Sequence, residues 1–250
     1  MRILLKIAYL GTDYHGWQVQ PNGITVQEVM QDALEKLYGV RLPLTGCSRT
    51  DAGVHANEFC CHYDTDMYIP ANGIVNALNS KLPSDISVLS AAAVSDEFHA
   101  RYSSIGKNYV YRIYNSRVHN PFFADRSWRI PYELDITKMN IFLSGIIGTH
   151  DFIAFSASGR TVKDTVRTVK ECSIEKKGDF IELSVTADGF LYNMVRIIVG
   201  TAIDVSNGKI SEHSAKEILV SKKRELAGIT APPHGLFLNK VLYPEVIFDD

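Results

Sequence analysis

In the first hundred residues the spacing of apolar side chains switches between two residues and about 3.6 in a set succession. That succession limits the folds open to the chain more than any other feature. Ile3, Leu5, Ile7 and Tyr9 alternate, as in a half-buried strand. Gly11 to Gly23 reads as a loop carrying Tyr14, His15, Gly16 and Trp17. Thr25-Val-Gln-Glu28 is a capping box, and Val26, Met30, Ala33, Leu34 and Leu37 form a helical stripe that ends before Gly39. A strand pair follows, near Leu44–Ser48 and Glu58–Tyr63. Pro70 opens a second helix through Ile74, Ala77, Leu78 and Leu82, and Ile86 to Val94 is a further strand. Strand, helix, strand, strand, helix, strand is the split ferredoxin-like unit.

The remainder repeats this order loosely, with no residue-level identity that would mark a repeat. Strands are expected at Lys107–Tyr114 and Ser127–Ile130, then a helix from Asp135 to Ile147. A polar loop from Ser156 to Lys163 carries Arg160. Strands at Thr165–Glu175 and Asp179–Thr186 flank a Lys177-Gly178 turn. Apolar helices at Phe190–Val205 and Ser211–Val220 precede a last strand at Gly235–Val241.

A chain of 250 residues, 46% hydrophobic and 22% charged, is long enough to bury a substantial core in one or two domains. The net charge of -2 does not announce a polyanion partner, so a nucleic-acid binder of this balance must gather its Lys and Arg on one face. Cys47, Cys60, Cys61 and Cys172 have no metal-site spacing, which points to reduced thiols in a cytoplasmic protein without a bound metal. Neither a dinucleotide loop nor a P-loop occurs, and no cofactor is expected. The Ile3-Leu4-Leu5 run, broken by Lys6, is not a signal peptide, and the longest apolar helix carries Arg196 and falls short of a membrane span.

The stretch richest in chemistry is Gly46-Cys-Ser-Arg-Thr-Asp-Ala-Gly-Val-His55. Asp51 sits two residues after Arg49 and two before Gly53, between the strands of the expected pair. On composition alone Asp-Ala-Gly is a turn. A carboxylate that touches a guanidinium instead stays ionised, its pKa lowered.

The wording of this stretch resembles the signature of the TruA-type tRNA pseudouridine synthases. So do Tyr14-His-Gly-Trp-Gln18, Phe98-His-Ala-Arg101, Lys107-Asn-Tyr-Val-Tyr111 and Met194-Val-Arg-Ile-Ile-Val-Gly200, in the same order along most of the chain. Ser48 departs from the pattern, where the family often carries Gly. The resemblance implies an α+β pseudouridine synthase fold of two ferredoxin-like halves, residues 1–100 and 101–250, with joined antiparallel sheets and a cleft between them. It implies a homodimer that isomerises uridine to pseudouridine at positions 38, 39 and 40 of the tRNA anticodon stem-loop. Asp51 is then the nucleophile, and Tyr109 the active-site tyrosine that packs on the target base. Arg49 and Arg101 are then phosphate-binding or loop-holding groups.

Each assignment has a plainer counterpart. Tyr109 and Tyr111 are also what one face of a buried strand looks like, Arg101 also suits a solvated surface, and His55 and His99 are given no chemical role. Lys107, Arg112 and Arg160 are further phosphate candidates. Arg196 stands in an apolar helical run from Leu191 to Ala202, where a buried guanidinium needs a carboxylate partner. By the same resemblance that partner is Asp51, while the alternative is a side chain that snorkels out past Tyr192 and Asn193. Two rival functions stand beside the main one: a pseudouridine synthase with a different RNA target, and a non-catalytic RNA-binding module.

Overall fold

The computed structural model describes residues 1–159, 163–245 and 247–248, so Arg160 lies outside the described residues. The chain separates into two compact units, Met1–Gly106 with Phe237–Asp250, and Lys107–Leu236. Where the sequence suggested a single cut at residues 100 and 101, the last strand instead returns to the first unit.

The first unit runs β1 (Arg2–Tyr9), α1 (Val26–Tyr38), β2 (Thr45–Gly46), β3 (His55–Asp64), α2 (Ala71–Asn79) and β4 (Ile86–Val94). β1 lies antiparallel between β3 and β4, and β2 pairs antiparallel with β3, giving the order β4-β1-β3-β2 of a split ferredoxin-like sheet. β1 keeps the alternation expected of it: Ile3, Leu5, Ile7 and Tyr9 are buried while Arg2, Lys6 and Ala8 are half-buried, with Leu4 the exception on that second face. Thr25 caps α1 by accepting from the Glu28 amide, and Gly39 closes the helix at φ 74°. The α1 stripe of Val26, Met30, Ala33 and Leu34 is buried, and α2 packs against β4 through Ile74 and Leu78.

The second unit contains β5 (Gly106–Asn115), β6 (Trp128–Ile130), α3 (Ile136–Ser144), β7 (Gly148–Asp151), β8 (Val166–Lys177), β9 (Phe180–Ala187), α4 (Met194–Ser206) and α5 (Ala215–Ser221). Its antiparallel order β5-β9-β8-β7 repeats β1-β3-β2 in the three long strands, with β7 added at the outer edge and β6 parallel to β5. β10 (Leu236–Leu242) begins where this unit ends, and it pairs parallel with β3 through Phe237 opposite His55. Two short strands therefore share one edge of β3, β10 at its start and β2 near its end.

α4 begins later than its apolar run suggests. Asn193 takes the left-handed conformation, φ 59°, so Phe190 to Asn193 cannot be helical and the first helical residue is Met194. Among the described residues no helix is long and apolar enough to cross a membrane.

Candidate active site

Asp51 is half-buried on the connection between β2 and β3. Its carbonyl accepts from the Val54 amide at 3.2 Å, closing a β-turn whose third residue, Gly53, has φ 76°. The turn reading and the nucleophile reading are thus compatible, because the carboxylate rides on a tight turn. That turn is held from both sides by the loop after β1. Before Asp51, the Trp17 amide donates to the Thr50 carbonyl at 3.2 Å, and the Tyr9 and Thr50 hydroxyls are hydrogen-bonded at 2.8 Å in a buried position. After it, the Gly53 amide donates to the Tyr14 carbonyl at 3.3 Å.

The Tyr14-to-Gln18 motif now has a physical meaning. Gly16 has φ 83°, and a Cβ there would overlap the Thr50 carbonyl oxygen and lie 3.1 Å from the Asp51 carbonyl carbon. Trp17 stacks on Phe59 of β3 with centroids 4.1 Å apart, and the Tyr14 hydroxyl donates to Asp85 at 2.9 Å. His55 is fully buried, accepts the Gly11 amide on Nδ1 at 2.9 Å and stacks on Phe237. Its place is structural, in keeping with the absence of an assigned chemical role. Ser48 does not adopt a positive φ, so the backbone before Arg49 makes no demand for glycine.

Arg49, on the same loop as Asp51, is exposed. Arg101 is exposed too, with its guanidinium 5.6 Å from the Tyr102 ring centroid, but its backbone is closely held. Arg2 pairs with Asp64 and donates to the Asp96 and Phe98 carbonyls; the Ala100 amide donates to His62 Nδ1, and the Ala100 carbonyl accepts from Tyr243. His99 Nδ1 receives the Arg101 and Tyr102 amides. Burial, reinforced by the Arg2 guanidinium, pushes the His62 imidazole down to about 4, and burial also lowers His99. These neutral rings can accept backbone N–H groups only while unprotonated. His62 and its partners were not foreseen, and only the His of Phe98-His-Ala-Arg101 hinted at them.

Tyr109 and Arg196 belong to the second unit. Tyr109 lies on β5 opposite Val185, is 6% exposed and meets Phe190 edge-on at 4.9 Å. Tyr111 is fully buried and its hydroxyl donates to the Pro232 carbonyl, which makes it a core residue. Of the other phosphate candidates, Lys107 is buried, while the partly exposed Arg112 donates to Glu182 across the β5–β9 pair at 2.8 Å.

Arg196 is half-buried in the first turn of α4. Its Nε donates to the Ala231 carbonyl at 2.7 Å and its Nη1 to Asn193 Oδ1 at 2.8 Å. The segment around 228–231 is laid along the helix: Ala231 donates to the Arg196 carbonyl, Gly228 to the Thr201 hydroxyl, and Gly200 leaves room for the Ile229 carbonyl. Asn193 in its left-handed turn and the Ala231 carbonyl thus fix the guanidinium from two directions. Among the described residues no group of three or more His, Cys, Asp or Glu is placed to hold a metal ion.

The sequence matches the tRNA pseudouridine synthase family over residues 6–103 and 144–244, most of both units. The chain belongs to that family. Among its relatives, the tRNA pseudouridine synthase A of Thermoanaerobacter sp. strain X514 is 50% identical over 241 residues, 96% of this chain and 99% of that one. Those of Ruminiclostridium cellulolyticum and Exiguobacterium sibiricum are 46% and 41% identical over 97% and 98% of this chain, and 99% and 97% of their own. A solved Cbf5-Nop10-Gar1 complex is similar to 96% of this chain and 50% of that one at a TM-score of 0.39 and 12% identity, a likeness too low to bear on function.

Proposed function

We propose that this protein isomerises uridine to pseudouridine in tRNA, at positions 38, 39 and 40 of the anticodon stem-loop, with Asp51 as the nucleophile. The reaction breaks the bond from ribose C1′ to N1 of uracil, turns the base and joins C1′ to C5, and the proton lost from C5 is matched by one taken up at N1. Atoms balance without a redox partner or a transferred group. One ionised carboxylate bonds transiently to the base or the ribose and stabilises the positive charge as the glycosidic bond breaks. A glycosidase needs a second acid for a departing oxygen, whereas here the uracil never leaves.

The observation that carries the assignment of Asp51 is its turn, fastened on both sides by hydrogen bonds from Tyr9 of β1 and from the loop that follows it. A nucleophile held in this way loses little orientational freedom at the moment of attack. The packing of Tyr109 against Phe190 and its place on β5 support a role as the platform on which the uracil rests. Arg196, its guanidinium fixed by Asn193 and Ala231, is assigned in this proposal as the positive charge that favours the ionised form of Asp51. In this reading the first half carries the nucleophile and the second carries the Tyr and Arg. The enzyme works in the cytoplasm as a homodimer.

A uridine stacked in a stem cannot reach Asp51, so the base flips out at a cost of a few kcal/mol. Exposed Arg49 and Arg101 offset that cost by binding phosphates. The direct test is pseudouridine mapping after incubating the purified protein with a tRNA that carries uridines at 38 to 40 and at other loop positions. New pseudouridine confined to 38 to 40 supports the proposal, modification elsewhere refutes the site choice, and none at all refutes the activity.

A further inference from the structure

A buried side-chain pair ties the loop that carries Asp51 to β1. Thr50, immediately before Asp51, is 7% exposed, and Tyr9, the last residue of β1, is 3% exposed. Their hydroxyls meet at 2.8 Å. Tyr9 is itself braced against Phe59 of β3, ring centroids 5.7 Å apart, and Phe59 is the ring on which Trp17 stacks. The Trp17 amide in turn donates to the Thr50 carbonyl. Thr50 is therefore gripped at both of its oxygens, the hydroxyl by the sheet and the carbonyl by the loop that also holds Gly53.

We infer that Tyr9 and Thr50 are a positioning pair: their buried hydrogen bond sets the backbone from which the Asp51 carboxylate is presented. The inference rests on Asp51 being the nucleophile. A threonine suits the task because its branched Cβ restricts χ1, so the hydroxyl is delivered in one direction and the bond fixes the main chain as well as the side chain. Tyr9 suits it because the ring is anchored in the sheet and only the hydroxyl reaches the loop. Neither residue supplies an acid, a base or a charge to the reaction. Their effect is on geometry, and a displacement of the order of 1 Å at a reacting group costs about a hundredfold in rate.

The test measures single-turnover rate and tRNA affinity separately in Thr50→Val and Tyr9→Phe, each of which removes one hydroxyl while keeping shape. Tyr38→Phe is the control. It deletes a hydroxyl from another buried pair of the same unit, Tyr38–Tyr63 at 2.9 Å, away from the Asp51 turn in sequence. Thr50→Val and Tyr9→Phe should each slow the chemical step about tenfold or more while affinity changes less than about twofold. The double variant should be no slower than the worse single one, because both remove the same bond. Thr50→Ser, which restores a hydroxyl, should recover most of the rate. Tyr38→Phe should lower the melting temperature and leave the rate intact.

Native-like rates in Thr50→Val or Tyr9→Phe would overturn the pairing, as would an equal loss in Tyr38→Phe or failure of Thr50→Ser to rescue. Asp51→Ala, assayed alongside, separates the two claims. If it is inactive while Thr50→Val is native-like, only the positioning pair fails. If it is active, the nucleophile assignment falls and the pair falls with it.

Discussion

Replacing Gly16 by alanine adds one carbon and two hydrogens to a protein of 250 residues, yet two separate costs follow from where that carbon must go. The first is conformational. Gly16 has φ 83°, and an L-residue in that region carries about 1–2 kcal/mol of strain. The second is steric. The new Cβ would overlap the Thr50 carbonyl oxygen and would sit 3.1 Å from the Asp51 carbonyl carbon and 3.3 Å from the Ala52 nitrogen. These are backbone atoms, so no flexible side chain can swing aside. Overpacking of this kind costs roughly 1–3 kcal/mol more.

Gly39→Ala isolates the first cost. Gly39 has φ 74°, but nothing lies within 4 Å of its would-be Cβ. Gly39→Ala should therefore lose about 1–2 kcal/mol, a melting shift of about 2–4 °C for each kcal/mol, with unchanged turnover. Gly16→Ala should lose more stability than Gly39→Ala. It should also lose turnover, because relief of the clash requires the Thr50 carbonyl to retreat and to carry the Asp51 backbone with it. A shift of a fraction of an ångström at a reacting group, the role proposed for Asp51, is worth about tenfold in rate. The assay is thermal melting of both variants, with single-turnover kinetics on tRNA well below the transition. Gly16→Ala with the stability and rate of Gly39→Ala would refute the reasoning, since the contact with Thr50 would then set nothing.

Stability should also fall on acidification. Burial and the Arg2 guanidinium hold the folded His62 at about 4 against an ordinary value of 6.5, so the unfolded chain binds the proton more readily, and the stabilisation present above pH 6.5 is lost as pH falls towards 4. Denaturant titrations at several pH values should show that slope in the native protein and a shallower one in His62→Gln; equal slopes would contradict the assignment. Arg196→Met should leave a folded protein, slightly destabilised because the Ala231 carbonyl and Asn193 lose a donor, with turnover reduced about a hundredfold or more. If Arg196 supplies the charge that keeps Asp51 ionised, as proposed, the acid limb of the variant's pH–rate profile moves to higher pH; an unmoved limb would refute that role.

What the sequence disclosed and what it hid follow from the range of the forces involved. Thr25 and Gly39 bracket α1 through local hydrogen bonds and local φ, so both ends were readable. The β4-β1-β3-β2 order followed from the succession of elements, since few topologies accept it. β7 was not foreseen, because Gly148-Thr-His-Asp151 has no apolar alternation and is a strand only by pairing with β8. The start of α4 was misjudged because an apolar pattern does not register that Asn193 turns left-handed. At the candidate site, Asp51 is proposed from its neighbours in sequence. Its fastening was not legible there, because Tyr9, Tyr14, Gly16 and Trp17 reach it across more than thirty residues, and hydroxyl pairs such as Tyr9–Thr50 leave no periodic trace. The same holds for His62, whose acceptance of the Ala100 amide joins β3 to the segment after β4.

The most direct test of the central claim is the rate of pseudouridine formation by Asp51→Asn beside the native protein on the same tRNA, with binding measured in parallel. Asn keeps the size of the side chain and its place on the turn but cannot act as a carboxylate nucleophile. The account predicts no detectable pseudouridine and tRNA affinity within about twofold of native, because the carboxylate does chemistry while the exposed arginines bind phosphate. Turnover at even a tenth of the native rate would contradict it.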